Sequence, residues 1–146
     1  MRTLLFGIVA VVSVSCGAPG DPDLTCDSNA ASKTLAADVQ PILDAKCKSC
    51  HGANYTYGDY SDATKSAAAT VGKKSLFAGM NATLMVVDSS KKLENSSLWL
   101  KLLGGTPKGR SGPKGENVQG EMPSGMDPLP AAELKIFKDW ICTGAK

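Results

Sequence analysis

The stretch that decides the reading is Asp38-Val39-Gln40-Pro41-Ile42-Leu43-Asp44-Ala45-Lys46-Cys47-Lys48-Ser49-Cys50-His51. Leu35, Val39, Ile42, Leu43 and Cys47 recur at helical spacing and make one apolar stripe. Pro41 would break a helix interior, yet it is harmless in a first turn, where its missing N–H has no partner anyway. Asp38 is a good N-cap three residues before it. The spacing predicts a helix from about Asp38 to Cys50, with two cysteines and a histidine at its end. His51 is the single His of the chain, and Cys47 and Cys50 are two of its five Cys.

Cys47-Lys48-Ser49-Cys50-His51 is the C-x-x-C-H pattern of covalent c-type haem attachment. The spacing has a physical reason. Cysteines three apart on a helical turn put both sulfurs on one face, spaced for the two vinyl groups of one haem. The adjacent imidazole can then swing under the ring and hold the iron from the proximal side. Three other readings compete. A thioredoxin-like redox pair belongs beside a βαβ pattern, which the sequence lacks. Half of a zinc site needs four ligands, and Cys26 and Cys142 are the only soft donors left beyond the motif. The third is a plain structural disulfide.

Outward from this stretch the chain reads as helices and loops. A weaker, Ala-rich helix is predicted near Asp62 to Val71. Another starts after Asn95, carries Leu98, Trp99 and Leu102, and stops at Gly104-Gly105. The last begins at Pro130 and ends before Gly144, with Leu134, Phe137 and Ile141 on one face, widened by Ile136 and Trp140. Nothing alternates cleanly enough for a sheet. The expected fold is all-α, with three to five short helices joined by long loops, and there is no internal repeat. Residues 104–128 hold seven Gly and four Pro; so long a loop in a compact domain usually carries function or is disordered.

At 146 residues the chain has the size of one domain. Its net charge of +2 is too weak a bias for a nucleic-acid or acidic-membrane binder. A single His excludes any multi-His metal centre. Aromatics are only 5% of the chain, so a core of side chains alone would be thin. The N-terminus reads as an export signal over residues 1–15: Arg2, then the apolar run Leu4 to Val12, too short to cross a bilayer. Ser13-Val14-Ser15 meets the small-x-small rule for cleavage. Cys16 then stands where bacterial lipoproteins carry their lipidated cysteine, although Ser13 takes the place where that pattern prefers Leu. A soluble periplasmic product is the alternative. Either way the thiols meet an oxidising compartment. Residues 16–34 read as a tether, and the folded domain is expected over residues 35–146.

With His51 used, Met is the natural sixth ligand for a haem iron. The candidates are Met80, Met85, Met122 and Met126. Met80 and Met85 lie in an apolar stretch that core packing explains. Met122 precedes Pro123 inside the long loop, which can wrap a ring and present a sulfur from the distal face. Met126 is the fallback.

The C-K-S-C-H motif after an amphipathic helix, Gly-Glu-Met122-Pro123, and a final helix Glu-Leu-Lys-Ile-Phe-Lys-Asp-Trp-Ile together resemble a class I c-type cytochrome domain. Asp-Val-Gln-Pro-Ile-Leu and Asp-Trp-Ile-x-x-Gly-Ala are similar to small exported bacterial cytochrome domains, some of them lipoproteins or parts of larger redox proteins. The likeness covers about Leu35 to Ala145 and is specific at its two ends. It implies one covalent haem c, with Cys47 and Cys50 as thioether positions, His51 as proximal ligand and Met122 as distal ligand. It implies a cytochrome c-like fold in which the first and last helices cross. Cys142 and the Gly-rich run before Met122 depart from the pattern. Cys26 and Cys142 remain as an even pair outside the motif, and in an oxidising compartment a disulfide is expected over two free thiols.

A His–Met iron is coordinatively full, which suits a one-electron carrier with redox proteins as partners, no nucleic acid, and a membrane link by lipid only. A haem enzyme or sensor with a labile sixth ligand is the alternative, as is a haem subunit of a larger complex. Tyr55, Tyr57 and Tyr60 either cover a haem edge or pack locally. Trp99 and Trp140 are expected in the core, with a propionate bond as the other use. Lys108, Arg110 and Lys114, with Lys73-Lys74 and Lys91-Lys92, read as solvated faces or, in the minority reading, a docking patch.

Overall fold

The chain begins its described path at Leu24. The computed structural model describes residues 24–53, 55–76, 84–104 and 120–146. Residues 1–23, where the export signal and the lipidated Cys16 are expected, lie outside them, as do Met80, Lys108, Arg110 and Lys114. Four α-helices order the described residues: α1 Gln40–Lys46, α2 Ala63–Thr70, α3 Ser97–Leu102 and α4 Ala131–Cys142. Among the described residues there are no strands, only isolated bridges pairing Val71 with Val87 and Met85 with Lys74 and Ser96. The all-α expectation holds at that level.

The first helical segment starts earlier and ends sooner than its sequence suggests. A wide π-type turn over Leu35–Val39 precedes α1. Thr34, not Asp38, is the N-cap: its side chain accepts from the Ala37 N–H at 3.3 Å. Asp38 instead reaches back and accepts from the Thr34 N–H at 2.8 Å and from Lys33 Nζ at 3.0 Å. The stripe explains the difference, because Leu35 is buried and must be on the helix to reach the core. The wide turn ends just before Pro41, which has no N–H to carry an ordinary ladder through this point. At the other end α1 stops at Lys46, and Cys47–His51 forms a separate turn closed by the His51 N–H on the Cys47 carbonyl at 2.8 Å.

The helices α2, α3 and α4 fall within a residue or two of their expected limits, and Asp62 caps α2 through the Lys65 N–H at 2.9 Å. The core gathers Val39, Leu43, Leu93, Trp99, Phe137, Trp140 and Ile141. The two tryptophans are core residues, and Trp140 Nε1 donates to the Lys146 carbonyl at 3.1 Å. The last helix packs on the Leu35–Val39 turn and on α3. Residues 24–34 are not a free tether. Leu24 packs on the core, and Cys26 is disulfide-bonded to Cys142 at the end of α4. The folded body thus takes in the described end of the segment read as a linker.

Candidate functional site

All four helices meet around one cavity of about 690 Å³. Lys46 and Cys47 come from α1 and its end, Ala68 and Ala69 from α2, Leu98, Lys101 and Leu102 from α3, and Phe137 from α4. Cys50, His51 and the three tyrosines also line it, as do Met122, Pro123 and Met126. The fold therefore brings Cys47, Cys50, His51 and Met122 to a single space, together with the fallback Met126. Met85 does not line it. Its backbone instead bonds the start of α3, with Met85 N–H on the Asn95 carbonyl and Ser97 N–H on the Met85 carbonyl.

Both motif cysteines are free thiols, Cys47 half-buried and Cys50 exposed. Burial pushes the Cys47 thiol up to about 11, helped by the neighbouring Cys50 and by Glu133. Cys47 also follows the C-terminal end of α1, where the helix dipole opposes a thiolate. A thioredoxin-like pair needs the reverse, a nucleophilic cysteine with a depressed value. The zinc reading fails on connectivity, since the disulfide uses Cys26 and Cys142. Among the described residues no group of three or more His, Cys, Asp or Glu comes together.

The His51 ring is half-buried. Burial lowers its pKa, the Gly58 carbonyl opposes that shift, and the Lys101 charge adds to it. The ring is thus neutral near pH 7, the state in which an imidazole nitrogen can hold a metal. Its Nδ1 is buried without a hydrogen-bond partner. Tyr60 stacks on one face of the ring, and Tyr55 meets it edge-on. Burial pushes the Tyr60 hydroxyl up to about 12, with Cys47 adding to it.

Met122 is partly buried and packs against the core, and Pro123 beside it is buried. The Met122 N–H donates to the Lys101 carbonyl at 3.2 Å, which ties the loop to the end of α3. Met126 is 50% exposed.

Sequence reasoning passed over Lys101, Gln40 and Gly58. Each carried a signal: a Lys between Leu100 and Leu102 in an apolar helix, a Gln beside the buried stripe, and a Gly close to the motif. Among the described residues of the lining, the charged side chains are Lys46, Lys73, Lys74 and Lys101, with no carboxylate. Burial lowers the Lys101 pKa.

The chain matches no family model, no curated protein and no solved structure.

Proposed function

We propose that this chain is a monohaem c-type cytochrome, a one-electron carrier of the bacterial cell envelope. The observation that carries the reading is the convergence of Cys47, Cys50, His51 and Met122 on one cavity. The residues present suit the group. The volume lies within the roughly 300–1,000 Å³ usual for cofactor sites. Leu98, Leu102 and Phe137 offer an apolar wall, and the lysines suit a planar apolar ligand that bears two carboxylates. A buried imidazole nitrogen without a partner suits a metal ligand. When bound, haem supplies a reversible one-electron couple.

The chain's own residues do the rest. The Cys47 and Cys50 thiols would hold the group covalently, and His51 and Met122 would hold its iron, which suits electron transfer rather than substrate binding. The Met122 thioether would favour the ferrous state and raise the potential. The apolar wall would keep water away, which would limit reorganisation when the charge changes. Tyr55, Tyr57 and Leu76 line the cavity from exposed positions, where a ring edge would approach solvent and a redox partner. Lysines at the rim would speed the approach of an acidic partner more than they would tighten its binding.

The Cys26–Cys142 bond suits an oxidising compartment and so supports export. No helix among the described residues is long and apolar enough to cross a membrane. A lipid on Cys16 is the proposed anchor, and Cys16→Ala is expected to move the protein from the membrane fraction to the soluble one. An unchanged distribution would contradict the anchor.

Optical spectra of the exported protein test the carrier reading. The expected result is a low-spin spectrum with the weak far-red Met–iron band and little response of the reduced protein to carbon monoxide. A high-spin spectrum with rapid carbon monoxide binding would favour a haem enzyme or sensor instead.

A further inference from the structure

The proximal side of the cavity carries an arrangement that haem attachment alone does not require. Tyr60 is buried, and its ring lies flat on the His51 imidazole, with centroids 4.8 Å apart and planes 9° apart. The backbone closes the same pair, since the Tyr60 N–H donates to the His51 carbonyl at 2.8 Å. From α1, Gln40 Nε2 donates to the Tyr60 carbonyl at 3.0 Å and to Asp44 Oδ1 at 3.1 Å. Gln40 is itself buried. A buried amide is costly unless it is bonded, so an aliphatic side chain would serve better there if packing were all that mattered. Gly58 closes in on the same tyrosine with φ +126°, and a Cβ at that position would stand 2.9 Å from Tyr60 Cε1. Only glycine lets the chain pass so near in that conformation. Tyr55 meets the imidazole edge-on, at 4.8 Å and 74°.

We infer that Tyr60, clamped by Gln40 and bordered by Gly58, is a positioning residue that fixes the plane of the His51 imidazole. The inference rests on the haem reading above. Outer partners of a ligating histidine commonly set its ring orientation. An aromatic ring stacked flat on the imidazole resists its rotation, and a second ring against the edge limits its tilt. The plane of a ligating imidazole, together with the second ligand, sets how the unpaired electron of a ferric haem spreads over the macrocycle. Ring orientation is therefore readable apart from stability.

The test compares the haem-bearing wild type with Tyr60→Phe, Tyr60→Leu and Gln40→Leu. Mass under denaturing conditions reports attachment, and proton NMR of the oxidised protein reports the order of the haem methyl resonances. Tyr60→Phe keeps the stacked ring and is expected to keep the wild-type order. Tyr60→Leu is expected to change the order with the haem still attached, and Gln40→Leu to shift it the same way by less. A Tyr60→Phe protein with a changed order, or a folded Tyr60→Leu protein with the wild-type order, overturns the inference. If Tyr60→Leu does not fold, Gln40→Leu decides: a shifted pattern supports the inference and an unshifted one overturns it. A wild type without the added haem mass overturns the haem reading instead, and this inference with it.

Discussion

His51 and Met122 face the same cavity but are held by different means. On the His51 side, the motif turn follows α1 directly and closes on its own carbonyls. Tyr60 stacks on the imidazole, its N–H donates to the His51 carbonyl, and its own carbonyl accepts from Gln40. On the other side, Met122 arrives from the Gly- and Pro-rich loop and meets α3 through the Lys101 carbonyl. A second methionine, Met126, lines the same space, half exposed, beyond Gly125 at φ +71°. The contrast teaches that a short segment next to a helix can place one side chain by itself. The placing of Met122, the proposed second ligand, depends on where a long connection is pinned. Attachment should therefore be robust and all-or-none, whereas distal ligation should be the adjustable part of the site.

The largest effect is expected at the attachment points. Cys47→Ala with Cys50→Ala should abolish covalent haem and, with it, cooperative folding. Few aromatics fill the core, so the ring would supply much of the buried apolar surface. A haem-free double variant that melts like the wild type would break this account of the core.

Met122→Ala comes next and probes the adjustable side. It should leave haem attached, remove the far-red band, lower the potential and let carbon monoxide bind the reduced protein quickly. Met126→Ala should leave all of these at wild-type values. The reverse result would move the distal role to Met126, and no effect from either change would remove the physical basis of the carrier.

Neither Cys26 nor Cys142 lines the cavity, so the disulfide sharpens the comparison from outside. Cys26→Ser with Cys142→Ser should cost about 4–5 kcal/mol by the chain-entropy account of a bridge between residues 116 apart. The optical spectrum should stay unchanged. Denaturant melts of reduced and oxidised protein check the size, and a spectral change would mean that the bridge also shapes the cavity.

The smallest effect concerns the cap of the proximal segment. The Thr34 N–H and the Lys33 ammonium hold the Asp38 carboxyl below its usual value of 3.8. A group depressed in this way adds stability that is full above about pH 4 and fades as pH falls through the folded value. Asp38→Asn should flatten the acid limb of the stability profile, followed by melts between pH 2 and 6. An identical acid limb in the variant would show that the cap carries no such linkage.

Much of this arrangement was legible in the sequence because local rules govern it. The Ala-rich run and the apolar face of α4 located those helices to within a residue or two, whereas the stripe from Leu35 to Leu43 located the first segment only to within three or four residues at each end. Thr34 was missed because Asp38 satisfies the same capping rule one turn later, and only the burial of Leu35 decides between them. The π-type turn was missed because periodicity does not register a single extra residue before a proline. The convergence of Met122 with the motif depends on tertiary packing, so sequence offered it only as an expectation. Gln40, Gly58 and Lys101 act through contacts made across the fold, and composition gives such contacts no address. The pairing of Cys26 with Cys142 followed from counting alone, since both other folded-region cysteines belong to the motif.

The mass of the purified protein, measured after denaturation, tests the central claim most directly. The account predicts the mature chain plus one haem, with the added mass lost in the Cys47→Ala, Cys50→Ala variant. A bare chain whose Cys47 and Cys50 are free or joined to each other would contradict it.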